Sequence, residues 1–550
     1  MMKNKSLFSV LIALSIAAFS CDGLKQADLI VHNAVVYTVD SAFAMAEAFA
    51  VREGKFIAVG STDEILSTYT ANETIDAQGL PVYPGFYDAH AHFFGFAQTL
   101  GQADLTGVTS FAEIVERLKI FRDEYPDADW LIGRGWDQNL WDTKTFPDRR
   151  LLDVAFPDIP VYLVRIDGHA ALANGKALEL AGISGPVTIE GGTVEVKDGR
   201  LTGILVDNAM ARVSAIIPQP TVAELIQMLQ RAEAACVAVG LTTVSDAGLD
   251  QQAIMLLDSL YKSEKLRIRN HAMINLSEAN LDHYLSEGPY ISERLTAHTF
   301  KILADGALGS RGACLLQPYS DAKTSGFLLF NPETIETAIA RIAESDFQVA
   351  THAIGDSTNR LILAIYGKYL KGQNDRRWRI EHAQVVAPQD FEKFGKYSVI
   401  PSVQPTHATS DMYWAGERLG PERIKGAYAY KQLLEQTGLL PLGSDFPVEH
   451  INPLYGFHAA VARVDHDGNP TGGFQPENAI SREDALRGMT VWAAYAVFEE
   501  DSRGSIEAGK KADFVWLADD IMTAPDDQLR NIGVLQTVIA GEAVYQKDQK

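Results

Sequence analysis

The stretch TVAELIQMLQRAEAACVAVG–LTTVSDAG, Thr221 to Gly248, reads as an amphipathic helix, a glycine turn and a short apolar strand. Working outward, the same alternation of short apolar runs and amphipathic segments fills the middle of the chain. It signals βα units and a parallel sheet. Candidate barrel strands are VYPGFYDAH, VYLVRID, LTTVSDA, RIRNHAMI, FKILADG, FQVATHA, RWRIEHAQ, SVIPSVQP and LLPLGSD, with WLIGRGW at Trp130 as a further one. They exceed the eight places of a (β/α) barrel. Which are surplus is not decided by the sequence.

The two ends read differently. ADLIVHNAVVYTV, AFAVREGKFIAVG and ETIDAQGLPVYPG near the start, and ADFVWLADD and VLQTVIAGEAVY near the finish, alternate as strands with Gly-containing turns. Residues 22–83 and 495–550 are therefore expected to form a β domain, and 84–494 the barrel. Within it 130–208, rich in extra strands, Gly turns and tryptophans, is expected to be an inserted subdomain.

The chain has 550 residues, 47% of them apolar, which is the composition of a folded globular protein. Its 48 basic and 71 acidic residues give a formal charge of −23, which argues against nucleic acid as a partner. The first residues, MMKNKSLFSVLIALSIAAFSC, have a basic start and an apolar run too short to span a bilayer. Residues 1–21 read as an export signal resembling that of a bacterial lipoprotein, with a lipidated Cys21. Phe19 departs from the usual cleavage pattern, and an ordinary cleaved signal is the alternative. The expectation is a periplasmic or outer-membrane protein, touching the membrane only through that anchor. Only Cys236 and Cys314 follow, too few for a disulfide framework or a thiolate metal cluster.

Chemistry concentrates at the strand ends. In YDAHAHF, His90 and His92 are two apart, so on a strand both point to one face. THAIGD supplies His352, RIEHAQ supplies His382 and GSDFP supplies Asp445. Each alone is more often a satisfied polar group than a ligand. Together they fall where parallel strands stop, the ends that converge on one mouth of a barrel. Lys301 lies inside FKILADG in the same series. A buried lysine tends toward the neutral amine, the form that takes up carbon dioxide to give a bridging carbamate. A salt bridge to Asp305 is the bland alternative.

With these motifs the chain resembles the amidohydrolase superfamily, in its YtcJ-like branch within the amidohydrolase 3 group. The resemblance rests on YPGFYDAHAHF, KILADGALGSR, ATHAIGD, RIEHAQ, SVQPTHATSDMYW, RLGPERIKGAYAY, LGSDFPVEHINP and GSIEAGKKADFVWL. It implies a distorted (β/α)8 TIM barrel with a β-sandwich assembled from both chain ends. It also implies two divalent ions. His90 and His92 hold one together with Asp445, His352 and His382 hold the other, and carboxylated Lys301 bridges. An all nitrogen and oxygen donor set suits zinc, with manganese, iron or cobalt as alternatives. Asp445 is the expected proton-transfer group.

His169 in RIDGHAALAN, Trp136 and Asp137 in GRGWDQN, Arg311 and His407 are candidate substrate-binding residues. The expected reaction is hydrolysis of an amide C–N bond in a small molecule, as in N-substituted formamide hydrolases. Ring deamination or opening of a lactone or cyclic amide is the alternative, and the bridging lysine counts against deamination. An exported ligand-binding protein with a decayed site is the non-enzymatic alternative, and the complete ligand set counts against it. Homo-oligomerisation is left open.

Overall fold

The computed structural model describes residues 24–126 and 128–547. The expected export signal and Cys21 lie outside the described residues.

In the opening stretch, Thr221 caps the helix Val222–Ala238. Its hydroxyl accepts from the Glu224 N–H while the Glu224 carboxylate reaches back to the Thr221 N–H. Leu229, Ala232 and Cys236 form its buried stripe. Gly240 then turns the chain with φ +89°, where a Cβ would come within 2.9 Å of the Phe86 ring.

The strand that follows belongs to a sheet of seven parallel strands. These are β1 (Phe86–Ala91), β2 (Leu241–Leu249), β3 (Arg269–Asn275), β4 (Leu295–Leu303), β5 (Gln348–Ala353), β6 (Arg379–His382) and β7 (Ile400–Ser402), hydrogen-bonded in that order. Residues 440–443 occupy the eighth place without forming a ladder. Gly443 N–H donates to Val403 (3.0 Å) and Ala89 N–H to Leu442 (3.1 Å), so the barrel is nearly closed. Gly443 is needed there, because a Cβ would lie 2.5 Å from the His90 nitrogen. Asp88 clamps the same seam, accepting from the Ser444 N–H (3.0 Å) and hydroxyl (2.6 Å).

The two surplus strands are VYLVRID and WLIGRGW. Val161–Arg165 and Leu131–Trp136 pair with each other in a separate seven-stranded sheet. Only a short turn separates Val161–Arg165 from its antiparallel neighbour Ala170–Ala173, too short for a crossover helix. This sheet also recruits Ala103–Asp104, so the inserted layer begins upstream of residue 130. Apolar side chains cover both of its faces, Leu131, Leu163 and Leu172 on one and Tyr162, Ala171 and Leu205 on the other.

Strands from the two chain ends share a six-stranded sheet, ordered Glu542–Gln546, Val534–Ile539, Phe514–Leu517, Pro81–Pro84, Val35–Tyr37 and Met45–Ala46. It packs on a four-stranded sheet of residues 25–76 through Leu29, Val31, Phe49, Phe56, Val82, Phe514 and Val538.

Candidate metal centre

The parallel register brings the candidate ligands to one end of the barrel. Ala353 on β5 is level with His382 on β6, and Leu303 on β4 with His352 on β5. His90 and His92 leave the end of β1, and Asp445 follows the eighth segment, its N–H donating to the His90 carbonyl (2.8 Å). His382 and Asp445 adopt φ of 72° and 62°, the left-handed region that non-glycine residues seldom enter. Such strain is characteristic of sites where surrounding structure dictates side-chain aim.

The rings cluster tightly. His90 and His382 are 4.9 Å apart between centroids, His352 and His382 4.5 Å, and His90 and His92 5.6 Å. Three rings are held from behind by their Nδ1 atoms. His90 Nδ1 donates to buried Glu381 (2.5 Å), His92 Nδ1 to the Ala247 carbonyl (3.1 Å) and His382 Nδ1 to Gln404 (2.7 Å). This leaves Nε2 free to meet a cation, the pattern by which outer partners fix the tautomer of a metal-binding histidine. Asp445 Oδ1 lies 3.0 Å from His92 Nε2 and 3.5 Å from His90 Nε2.

The charge states suit a cation. Burial, reinforced by the neighbouring Lys301 charge, pulls His90 down to about 4, so its imidazole is neutral at pH 7. Burial also holds His352 and His382 well below the ordinary histidine value. Although burial raises the Asp445 pKa, the surrounding histidines carry it well below the usual carboxylate range. Asp445 Oδ1 and His352 Nε2 are buried without a hydrogen-bond partner. Orphaned acceptors beside neutral imidazoles are what a divalent cation satisfies. At the barrel mouth two groups have donor atoms close enough to share an ion, His90–His92–Asp445 and His382–His407–Asp445, with Asp445 common to both.

Lys301 is 2% exposed and has burial, above all, lowering its pKa to about 8. Its Nζ lies 3.2 Å from His90 Nε2. Asp305 is occupied elsewhere. It accepts from the N–H groups of Cys314 (2.9 Å), Ile354 (3.0 Å) and Gly355 (2.9 Å) and from the Thr358 hydroxyl (2.8 Å). The Lys301–Asp305 salt bridge is therefore not formed, and the lysine faces the histidines instead.

The other candidates separate. His407 enters the site, 3.7 Å from Asp445 Oδ2 and stacked 6.0 Å from His382, so it stands among donor atoms where the sequence placed it with substrate. His169 borders the site, 5.3 Å from the His352 ring. Burial disfavours its charge, but Asp207 at 2.6 Å, aided by Asp167 and Asp305, raises His169 to about 9. Trp136 is corrected. It is fully buried in the inserted layer with its indole N–H donating to the Leu163 carbonyl (2.9 Å), so it cannot line a pocket. Asp137 caps a short helix at Gln138–Leu140 and pairs with Arg165. Arg311 is likewise committed, to Asp321 (2.8 Å). Sequence reading missed Glu381 and Gln404. Glu381 adjoins His382 in RIEHAQ, and nothing in that spacing ties it to His90, 291 residues away.

A family model described as the amidohydrolase family matches residues 73–545. The chain belongs to that family. This amidohydrolase is 32% identical to the protein YtcJ of Bacillus subtilis (strain 168), over 94% of its own chain and 99% of the relative. It is 27% identical to N-substituted formamide deformylase of Arthrobacter pascens, over 94% and 98%. Among solved structures it resembles a metal-dependent hydrolase from Pyrococcus horikoshii, with a TM-score of 0.74 and 28% identity over 90% of this chain and 99% of that one. The family, the barrel and the ring cluster together make the protein a metal-dependent hydrolase of the amidohydrolase superfamily.

Proposed function

We propose that this amidohydrolase hydrolyses a C–N amide bond of an N-acyl or N-formyl amine, using two divalent ions bridged by carboxylated Lys301. The observation that carries the reading is the set of histidines whose outer nitrogens are tied back while Nε2 atoms, Lys301 and Asp445 meet at one barrel mouth. The likeness to N-substituted formamide deformylase supports the amide class.

His90, His92 and Asp445 would hold one ion, and His382 with His352 or His407 the other. Such ions, zinc first, supply a water of lowered pKa and polarise the substrate carbonyl. Asp445, ionised at neutral pH, takes the proton from the attacking water and returns it to the departing amine nitrogen. The C–N bond breaks, leaving a carboxylic acid and an amine. His92, whose side chain is 37% exposed, marks the open side of the cluster. His169, charged at neutral pH beside Asp207, stands where it can donate to a substrate oxygen. Delivery to the bacterial envelope with a lipid on Cys21 completes the proposal, and membrane fractionation of wild type against Cys21→Ala checks it.

The test is a panel of N-formyl and N-acyl amines, lactones and aminated rings offered to metal-replete protein. Amide hydrolysis that chelation abolishes and metal restores is expected. Turnover confined to rings or lactones would overturn the amide reading.

A further inference from the structure

This inference rests on the amide reading and adds to its site a pair of residues that come from outside the barrel. The inserted sheet contains the antiparallel strands Ala170–Ala173 and Arg200–Asp207, with Ala170 level with Val206 and Ala171 with Leu205. One step further along that register, His169 meets Asp207. The two are tied twice. The Asp207 N–H donates to the His169 carbonyl (3.0 Å), and His169 Nδ1 lies 2.6 Å from Asp207 Oδ1. Asp207 adopts φ of 50°, a left-handed conformation that a non-glycine residue holds only where its surroundings dictate it.

Asp207 is also seated against the barrel. Its Oδ2 is buried without a hydrogen-bond partner and faces Gly306 and Gly312, in the loop that follows Lys301. A Cβ at either glycine would come within 2.6 Å of that oxygen. The carboxylate therefore fixes His169 relative to the barrel as well as to its own sheet.

The pair is closed at one end and open at the other. The Asp207 side chain is 1% exposed and that of His169 16%. The His169 ring stands 5.3 Å from the His352 ring, at the edge of the cluster. With Nδ1 committed to Asp207, Nε2 is the nitrogen left to face the site. A buried carboxylate behind an imidazole orients the ring, fixes which nitrogen is turned outward and stabilises its positive charge.

We propose that Asp207 is the positioning residue of a His169–Asp207 dyad, through which the inserted layer supplies a hydrogen-bond donor to the amide carbonyl oxygen. As the water oxygen bonds to the carbonyl carbon, the C=O π pair moves onto that oxygen, and His169 Nε2–H holds the growing negative charge without giving up its proton. The pair returns to carbon as the C–N bond breaks, and the amine nitrogen takes its proton from Asp445. A donor aimed at the place where charge develops is worth most in such a step.

The test uses metal-replete full chain, the amide turned over fastest in the panel above, and methylphosphonate, whose tetrahedral oxygens imitate the attacked carbonyl. Asp207→Asn should lower kcat roughly 10–100-fold, as for other partners that orient a working histidine, with KM near wild type. His169→Ala should lower kcat about 10²–10³-fold. In the His169→Ala background, Asp207→Asn should cost nothing further, because its effect passes through the ring. The same loss in both backgrounds would show that Asp207 only seats the inserted layer, and would overturn the proposal. Crystals of wild type with methylphosphonate should place an oxygen about 2.7–3.1 Å from His169 Nε2. Density that leaves Nε2 without such an oxygen, whether the phosphonate binds elsewhere or not at all, would overturn the proposal even if the variants fail to fold. If the phosphonate is held by His169 while no N-acyl amine is turned over, the amide reading fails and the dyad stands.

Discussion

Replacing Glu381 by Gln should cripple the site from a residue that binds no metal in the proposed arrangement. Glu381 is fully buried, 2.5 Å from His90 Nδ1 and 3.0 Å from Arg379. Burial alone would raise its pKa, but Arg379 and the His90 contact overcome it and bring the group from 4.5 to about 2. A carboxylate held that far below its ordinary value contributes about 3 kcal/mol of stability at neutral pH. The sign follows from a depressed carboxylate. That stability is fully present above about 4.5 and is lost as the pH falls through the interval toward about 2. Glu381→Gln should therefore lose about 3–5 kcal/mol in urea or guanidinium unfolding at pH 7, because Arg379 is left buried without its anion. The loss should shrink toward pH 3. The amide still offers an oxygen to His90 but no charge, so metal affinity or turnover should drop roughly 10–100-fold, as for other outer partners of metal-binding histidines. Wild-type stability at pH 7 together with wild-type metal affinity would refute the reasoning.

Lys301→Ala should lose turnover and part of the bound metal, with acetate or propionate restoring some rate by supplying two oxygens in the vacated space, while Lys301→Arg should not recover, since a guanidinium forms no carbamate; elemental analysis and rates with added carboxylate check both. Asp445→Asn should lower kcat by at least the roughly 10²–10⁴-fold attributed to positioned proton transfer, checked on protein shown to carry metal. Trp136→Ala should cost about 3–5 kcal/mol in stability through a core cavity, with KM close to wild type in whatever protein remains folded, because the indole touches the inserted core and not the pocket.

The barrel and the series of polar residues at its mouth were legible because both obey periodic rules. A helix stripe and a short apolar run identify a βα unit, and a polar residue at the strand's end is conspicuous against it. His90, His92, Lys301, His352, His382 and Asp445 all reach one mouth for that reason. The surplus strands were not legible. Val161–Arg165 has the same apolar pattern as a barrel strand, and only its pairing with Leu131–Trp136 reveals a different sheet. Trp136 illustrates a further limit. Its neighbours Asp137 and Arg134 are polar, yet the register shift between Arg134 and Trp136 turns the indole into the core while the guanidinium lies against the His169 loop. Glu381 and Gln404 hold rings from other segments, Glu381 one that is 291 residues away, and neither spacing nor composition encodes such a contact. His407 lies beside Asp445 for a similar reason: the helix Pro405–Asp411 begins just past β7 and swings the ring toward it.

The most direct measurement is anomalous diffraction at the metal edge from crystals grown with zinc and bicarbonate. The account predicts two peaks per chain, one beside His90 and His92 and the other beside His382, with density extending Lys301 Nζ into a carbamate between them. A single peak with a plain Lys301 amine at full metal loading would contradict it.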